Sequence, residues 1–220
     1  MELASCIEHT NLSPVLTIGQ IDQLVEEAVL YKFHGVCVPP FWVQRAKREI
    51  VGRDVALITV AGFPLGYSMT ETKLDEINRA LDNGADEIDL VWNISAFKTG
   101  IPWTKIEIAK CTKKVHEYEK LIKIIIETAY LSSTEIEAAC KLCADAGADF
   151  VKTSTGFANT GAKVEDIGLM KNSLPQGVGI KASGGIKTRE AAEAMIHAGA
   201  TRIGTSSGVA IVQQSTTNLN

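Results

Sequence analysis

The chain has 220 residues, of which 45% are hydrophobic and 22% charged, a composition that fits one α/β domain with a continuous core and leaves little room for a second. A formal net charge of −4 provides no overall basic field to draw in a nucleic-acid backbone. The first twenty residues interleave Glu2, Glu8, His9 and Asn11 with apolar positions, so neither a signal peptide nor a membrane span is expected and the cytoplasm is the expected compartment.

From the N-terminus, a short apolar run at 5–9 predicts a strand, followed by a helix over 17–31, a strand at 35–39, a helix over 41–50 and a strand at 55–61. The pattern continues with a helix over 71–83, a strand at 87–91, a helix over 103–118, a strand at 121–127 and a helix over 133–146. It closes with a strand at 150–152, a helix over 164–173, a strand at 179–182, a helix over 188–197, a strand at 202–204 and a short helix over 207–213. Three helices end on one phrase: Asn83-Gly84-Ala85-Asp86, Ala146-Gly147-Ala148-Asp149 and Ala198-Gly199-Ala200-Thr201. Glycine there suits the left-handed residue past a helix end, and the apolar run that follows is too short for another helix.

Eight alternating units mean right-handed crossovers and a parallel sheet, and in this length they favour a closed (β/α)8 TIM barrel over 1–212, with 213–220 as a polar, frayed tail. An open doubly wound sheet would call for a Gly-x-Gly-x-x-Gly turn after a strand. Gly177-Val178-Gly179 instead precedes one.

Barrel chemistry sits at the C-terminal ends of strands. Asp89 lies within the fourth strand, Lys152 ends the sixth and Lys181 lies in the seventh. If Ile88, Leu90, Val151 and Ile180 pack against helices, alternation turns Asp89, Lys152 and Lys181 into the barrel. Two buried lysines on adjacent strands repel each other, which lowers the affinity of one for its proton and leaves a neutral amine that can attack a carbonyl. The competing reading is a plain Asp89–lysine ion pair, or lysines that snorkel to the rim.

Ser183-Gly184-Gly185-Ile186 follows the seventh strand and Gly204-Thr205-Ser206-Ser207-Gly208 the eighth, the two loops where many barrels hold a phosphate on backbone N–H groups. A sugar phosphate is therefore the expected substrate. The four histidines, at 9, 34, 116 and 197, form no paired motif at a strand end, so no metal is expected. Five scattered cysteines form no disulfide framework, and Cys140-x-x-Cys143 lies within a helical segment, where core packing is the simpler role.

The segment Ala148-Asp149-Phe150-Val151-Lys152-Thr153-Ser154-Thr155-Gly156-Phe157 resembles the Schiff-base motif of the deoxyribose-phosphate aldolases. The likeness extends, in order, through Ile7–Thr10, Gly35-Val36-Cys37-Val38-Pro39, Gly62-Phe63-Pro64-Leu65-Gly66, Glu87–Val91, Ile125-Ile126-Glu127-Thr128, Lys181-Ala182-Ser183-Gly184-Gly185 and Arg202-Ile203-Gly204-Thr205-Ser206-Ser207. The resemblance implies a class I aldolase with no metal and no organic cofactor, usually a dimer or tetramer. It cleaves 2-deoxy-D-ribose 5-phosphate to acetaldehyde and D-glyceraldehyde 3-phosphate. By the same resemblance Lys152 forms the Schiff base, Lys181 is the perturbing cation and Asp89 a proton-transfer partner. Thr155 and Gly156 line the site, and Gly184, Gly185, Gly204, Ser206 and Ser207 hold the phosphate.

The chain departs from the family pattern at three places. Glu8 stands where many relatives have Asp, Trp92 where smaller side chains are common and would reshape the pocket wall, and Phe157 where some relatives carry a basic residue, a charge that Lys187 would supply. Relatives with a C-terminal tyrosine also differ, since this chain ends in Asn220. Cys37 follows the pattern, either as a buried structural thiol or as a target of reactive enals. The rival readings are another phosphate-binding barrel aldolase and a non-catalytic sugar-phosphate binding protein.

Overall fold

Eight parallel strands close on themselves in sequence order in the computed structural model, which describes residues 2–214. They are β1 (Ile7–Thr10), β2 (Gly35–Val38), β3 (Ala56–Ala61), β4 (Glu87–Val91), β5 (Leu121–Ile125), β6 (Phe150–Lys152), β7 (Gly179–Ser183) and β8 (Arg202–Thr205). The helices are α1 (Ile18–Leu30), α2 (Val43–Ile50), α3 (Thr70–Asp82), α4 (Ile94–Lys98), α5 (Trp103–His116), α6 (Ser133–Asp145), α7 (Val164–Ser173), α8 (Arg189–Ala198) and α9 (Gly208–Gln213). The TIM-barrel expectation is met. Among the described residues no helix is long and apolar enough to cross a membrane.

Local sequence explains the boundaries. Thr17 and Gln20 form a capping box at the start of α1, and Ser132 and Glu135 form another at the start of α6. Gly84, Gly147 and Gly199 take left-handed φ values of 98°, 87° and 124° just past helix ends, as the repeated phrase implies. Several predicted boundaries shift. The first strand starts later, because residues Leu3–Cys6 wind into a 3-10 turn. Pro40–Trp42 form a 3-10 turn ahead of α2, so the helix begins at Val43 rather than 41. β5 stops at Ile125, because Glu127 adopts a left-handed φ of 53° that no strand accommodates.

α4 was not predicted. Asn93 caps it by accepting a hydrogen bond from the Ala96 N–H at 3.1 Å. At the far end Gln213 closes α9 and the Gln214 side chain accepts a hydrogen bond from the Arg189 N–H at 2.8 Å, so the tail does not begin at 213. Residues 215–220 lie outside those described.

The core is a shell between sheet and helices, formed by Ile7, Val36, Leu57, Ile88, Leu90, Ile122, Ile124, Val151, Ile180, Ala182 and Ile203 packed against apolar helix faces. Cys140 and Cys143 sit in this shell, and burial pushes the Cys140 thiol up to about 12. They pack as core residues, as expected. Because those strand positions face outward, their neighbours face inward. Pairing of Asp89 with Lys123, of Lys152 with Lys181 and of Lys181 with Arg202 places a polar interior through the middle of the barrel. Glycines make the room: a Cβ on Gly179 would lie 2.3 Å from the Phe150 ring, and one on Gly204 would lie 2.9 Å from Lys181 Cε.

One ion pair outside the barrel ties the fold together. Lys73 of α3 and Glu107 of α5 are 0% and 1% exposed and 2.8 Å apart. Lys73 Nζ also donates to the Gly66 carbonyl at 2.7 Å, while Glu107 accepts from Thr70 Oγ1 at 3.1 Å and from the Asn93 N–H at 3.1 Å. Lys73→Met leaves the carboxylate buried without its cation and is expected to cost about 3–5 kcal/mol in urea unfolding. The Lys73→Met/Glu107→Gln double variant is expected to recover part of that loss, and no recovery would mean that packing rather than charge sets the cost.

Candidate active site

Asp89, Lys152 and Lys181 meet at one point inside the barrel. Lys152 Nζ donates to Asp89 Oδ2 at 2.8 Å, and Lys181 Nζ donates to the same oxygen at 2.6 Å. The three side chains are 3%, 0% and 0% exposed in the order Lys152, Asp89, Lys181. The plain ion pair weighed from sequence is present, but it is shared between two lysines and forms the floor of a pocket. Neither lysine snorkels to the rim.

The lysines are not equivalent. Burial lowers the proton affinity of Lys152 below the ordinary lysine range; Asp89 works against this and Lys181 works with it. Burial acts in the same direction on Lys181, but Asp89 and Glu8 together outweigh it and hold the Lys181 ammonium well above the ordinary value. Asp89, despite burial, is held well below the usual carboxylate range by Lys123, Lys152 and Lys181. One carboxylate and one permanent cation thus flank the single amine that releases its proton readily. From sequence, crowding by Lys181 was the expected cause. Burial is the larger one, because the surrounding protein solvates the ammonium charge less well than bulk water does.

Glu8 lies within this network. Its carboxylate bonds Lys181 Nζ and stands 3.5 Å from Lys123 Nζ, so its extra methylene relative to aspartate is accommodated by contact with two lysines. Cys37 is buried beside the cluster, and burial pushes its thiol up to about 11, which leaves a poor nucleophile at neutral pH.

Above the cluster opens a cavity of about 380 Å³, lined by Lys152, Thr155, Gly156, Phe157, Gly184, Gly185, Lys187, Gly204 and Ser206 among others. Gly184 and Gly185 have φ of 86° and 77°, which bends the β7 loop around the pocket. The loop after β6 docks on it, and the Ala162 N–H reaches the Ser183 and Gly184 carbonyls at 3.0 and 3.1 Å. A Cβ on Gly161 would lie 2.0 Å from the Gly184 carbonyl oxygen. Gly161→Ala must therefore displace the Gly184 loop. The expected result is a KM for a phosphorylated substrate raised by roughly tenfold or more, with a much smaller change for a substrate without the phosphate.

Two expected positions fall elsewhere. Ser207 lines an adjoining cavity with His9 and Glu27, and its N–H donates to Thr205 Oγ1 at 2.9 Å. Trp92 is fully buried on the helix side of the sheet, stacks near Phe97 with ring centroids 4.4 Å apart and donates to the Ile126 carbonyl at 3.0 Å. It shapes the packing of α4 and not the pocket wall. Gly204 does line the pocket, but the demand for glycine there comes from the Lys181 side chain passing over it.

Sequence reasoning missed Lys123, Glu87, Arg202 and the role of Glu127. Lys123 is the single charge in Leu121-Ile122-Lys123-Ile124-Ile125, and the alternation that turned Lys152 inward applies to it equally. Glu127 accepts hydrogen bonds from both the N–H and the hydroxyl of Thr155 and so fixes the turn after Lys152. Among the described residues one trio could bring metal-ligating atoms together, Glu8, His34 and Glu87. The Lys123 ammonium lies against Glu87 and near Glu8, so these carboxylates already have a cation.

A closed parallel barrel whose C-terminal mouth leads down to a buried lysine of lowered proton affinity, with glycine loops around the rim, defines an α/β-barrel enzyme suited to amine–carbonyl chemistry. Residues 6–214 match the profile of the DeoC/LacD family of aldolases, and the chain belongs to that family. It is 50% identical to the deoxyribose-phosphate aldolase of Thermococcus gammatolerans, over 97% of this chain and 96% of the other. It is 48% identical to that of Streptococcus gordonii, with both chains covered in full. A solved tetrameric deoxyribose phosphate aldolase from Aeropyrum pernix superposes with a TM-score of 0.90 at 33% identity, covering 96% of this chain and 89% of the other.

Proposed function

We propose that the chain reversibly cleaves 2-deoxy-D-ribose 5-phosphate to acetaldehyde and D-glyceraldehyde 3-phosphate through a Schiff base on Lys152. The observation that carries this reading is the buried Lys152 amine, lowered in proton affinity and 2.8 Å from Asp89, on the floor of the pocket bounded by Gly184, Gly185 and Ser206. The names of the relatives supply the substrate.

The neutral amine attacks C1 of the open-chain sugar, and loss of water gives an iminium that serves as the electron sink. A base removes the C3 hydroxyl proton. The C2–C3 bond then breaks, its electrons form the enamine on Lys152, and glyceraldehyde 3-phosphate departs. Protonation at C2 and hydrolysis release acetaldehyde and the free amine. Asp89 and Lys181, in contact at 2.6 Å, form the proton relay together with solvent in the pocket. The iminium supplies the electron sink, so the route calls on no metal and no organic cofactor. Backbone groups around Gly184, Gly185 and Ser206 receive the phosphate, and Lys187 at the rim adds a positive charge.

Five unpaired, buried cysteines support a reducing, cytoplasmic setting. The tetrameric relative supports assembly as a homo-oligomer, to be checked by sedimentation.

Borohydride reduction in the presence of 2-deoxyribose 5-phosphate tests the reading directly. Peptide mapping is expected to find an ethyl group on Lys152 and loss of activity in proportion. An active enzyme with no adduct at Lys152 would overturn the proposed route, and binding without turnover would turn the protein into a sugar-phosphate binder.

A further inference from the structure

The interior charges continue below the active-site cluster toward the N-terminal face of the barrel. Asp89 divides its two oxygens: Oδ2 serves Lys152 and Lys181, while Oδ1 takes Lys123 at 3.1 Å. Lys123 is fully buried, its other neighbours being Glu8 at 3.5 Å, the Glu87 carboxylate in direct contact and the Phe150 ring at 6.0 Å. Glu87 is in turn bonded by His34 Nε2 at 2.9 Å, and the His34 side chain is 23% exposed. A continuous line of contacts therefore runs Lys152–Asp89–Lys123–Glu87–His34, from the pocket floor to solvent at the opposite face.

We propose that Glu87, oriented by His34, is a positioning residue for the aldol chemistry: it anchors Lys123 at the barrel floor, which keeps Asp89 Oδ2 directed at Lys152 and Lys181. The proposal rests on the Schiff-base reading above and extends it to residues that do not touch substrate. Without the anchor, Lys123 keeps only Asp89 and Glu8 as anionic partners, and Asp89 turns toward it and away from Lys152.

The interior charge count supports the same role. The cations Lys123, Lys152, Lys181 and Arg202 face the carboxylates Glu8, Glu87 and Asp89. With Lys152 neutral, the three remaining cations balance the three carboxylates. Burial favours protonation of Glu87, but Lys123 and His34 outweigh it and bring its carboxyl down to about 2, so it contributes a full negative charge at working pH. The groups facing Lys152 are Asp89, Lys181 and Cys37; those facing Lys123 are Glu8, Glu87, Asp89 and Lys181. Loss of the Glu87 charge makes the interior more positive and disfavours the Lys152 ammonium further.

The test is the pH profile of Glu87→Gln on 2-deoxyribose 5-phosphate, with KM and kcat separated. The expected result is a kcat lowered by about tenfold to a hundredfold, a KM within about threefold of wild type, and an ascending limb of kcat/KM moved down by about one pH unit. A purely structural role for Glu87 would lower thermal stability and leave the limb in place, which would overturn the proposal. His34→Phe, at a partly exposed position, serves as the second variant and keeps the test alive if Glu87→Gln fails to fold. It retains the Glu87 charge but not its orientation and is expected to lower kcat several-fold with little movement of the limb. Wild-type kcat in His34→Phe would overturn the anchoring role. Borohydride trapping at Lys152 in wild type and in both variants separates the two readings: no adduct in wild type refutes the Schiff-base route, whereas a normal adduct with unchanged profiles refutes only the anchor.

Discussion

Lys152→Ala is expected to reduce cleavage of 2-deoxyribose 5-phosphate by roughly 10⁵-fold, since no other group can take over a covalent step. Lys181 stands beside it, but Asp89 and Glu8 hold its ammonium charged throughout the physiological range, so it is no substitute nucleophile. The loops after β7 and β8, proposed above to receive the phosphate, are not held by the Lys152 side chain, whose Nζ donates to Asp89. Binding of the unreacted sugar phosphate, measured by calorimetry, is therefore expected to stay within a few-fold of wild type. Residual activity within about tenfold of wild type would exclude Lys152 as the nucleophile.

The second large effect is that of Lys181→Met, with an expected loss of about 10²–10⁴-fold in kcat. The sign of its pH effect is fixed by the neighbours. Removing Lys181 removes a positive charge that disfavours the Lys152 ammonium and leaves Asp89 Oδ2 to Lys152, while Oδ1 stays with Lys123, and both changes raise the proton affinity of Lys152. Only the neutral amine reacts, so activity rises with pH through the Lys152 pKa, and the ascending limb is expected to move to higher pH. Glu87→Gln is expected to move it to lower pH. Opposite displacements from two buried substitutions are hard to attribute to general loosening of the barrel, and a downward shift in Lys181→Met would contradict the electrostatic account. Near-UV circular dichroism must accompany the assay, because Glu8 and Asp89 each lose a buried partner in this variant.

Much of this architecture was legible before any coordinates. The repeated Gly-Ala phrase marked helix ends, and strict alternation around Ile88, Leu90, Val151 and Ile180 was enough to turn Asp89, Lys152 and Lys181 inward, which is where the barrel places them. The same alternation applies to Lys123, whose flanking Ile122 and Ile124 face the helices, but barrel chemistry is expected at the C-terminal ends of strands and Lys123 lies mid-strand. Glu87 and Arg202 open their strands at the opposite end and were passed over for that reason.

Other features depend on contacts distant in sequence. The pairing of Lys73 with Glu107 spans 34 positions, and the Glu127 hold on Thr155 spans 28. Nothing local announces either one. Trp92 was misread by one step of strand alternation, since the residue after Val91 turns toward the helices.

Titration of ¹³C-ε-labelled lysines by NMR, with Lys152 assigned from the Lys152→Ala spectrum, measures the central quantity without reference to turnover. The account predicts that a buried lysine loses its proton below the free-lysine value of about 10.4, and that this signal is the one missing in the variant. A Lys152 resonance that titrates at or above the free-lysine value would mean that the amine stays charged under working conditions, and the covalent route would fail with it.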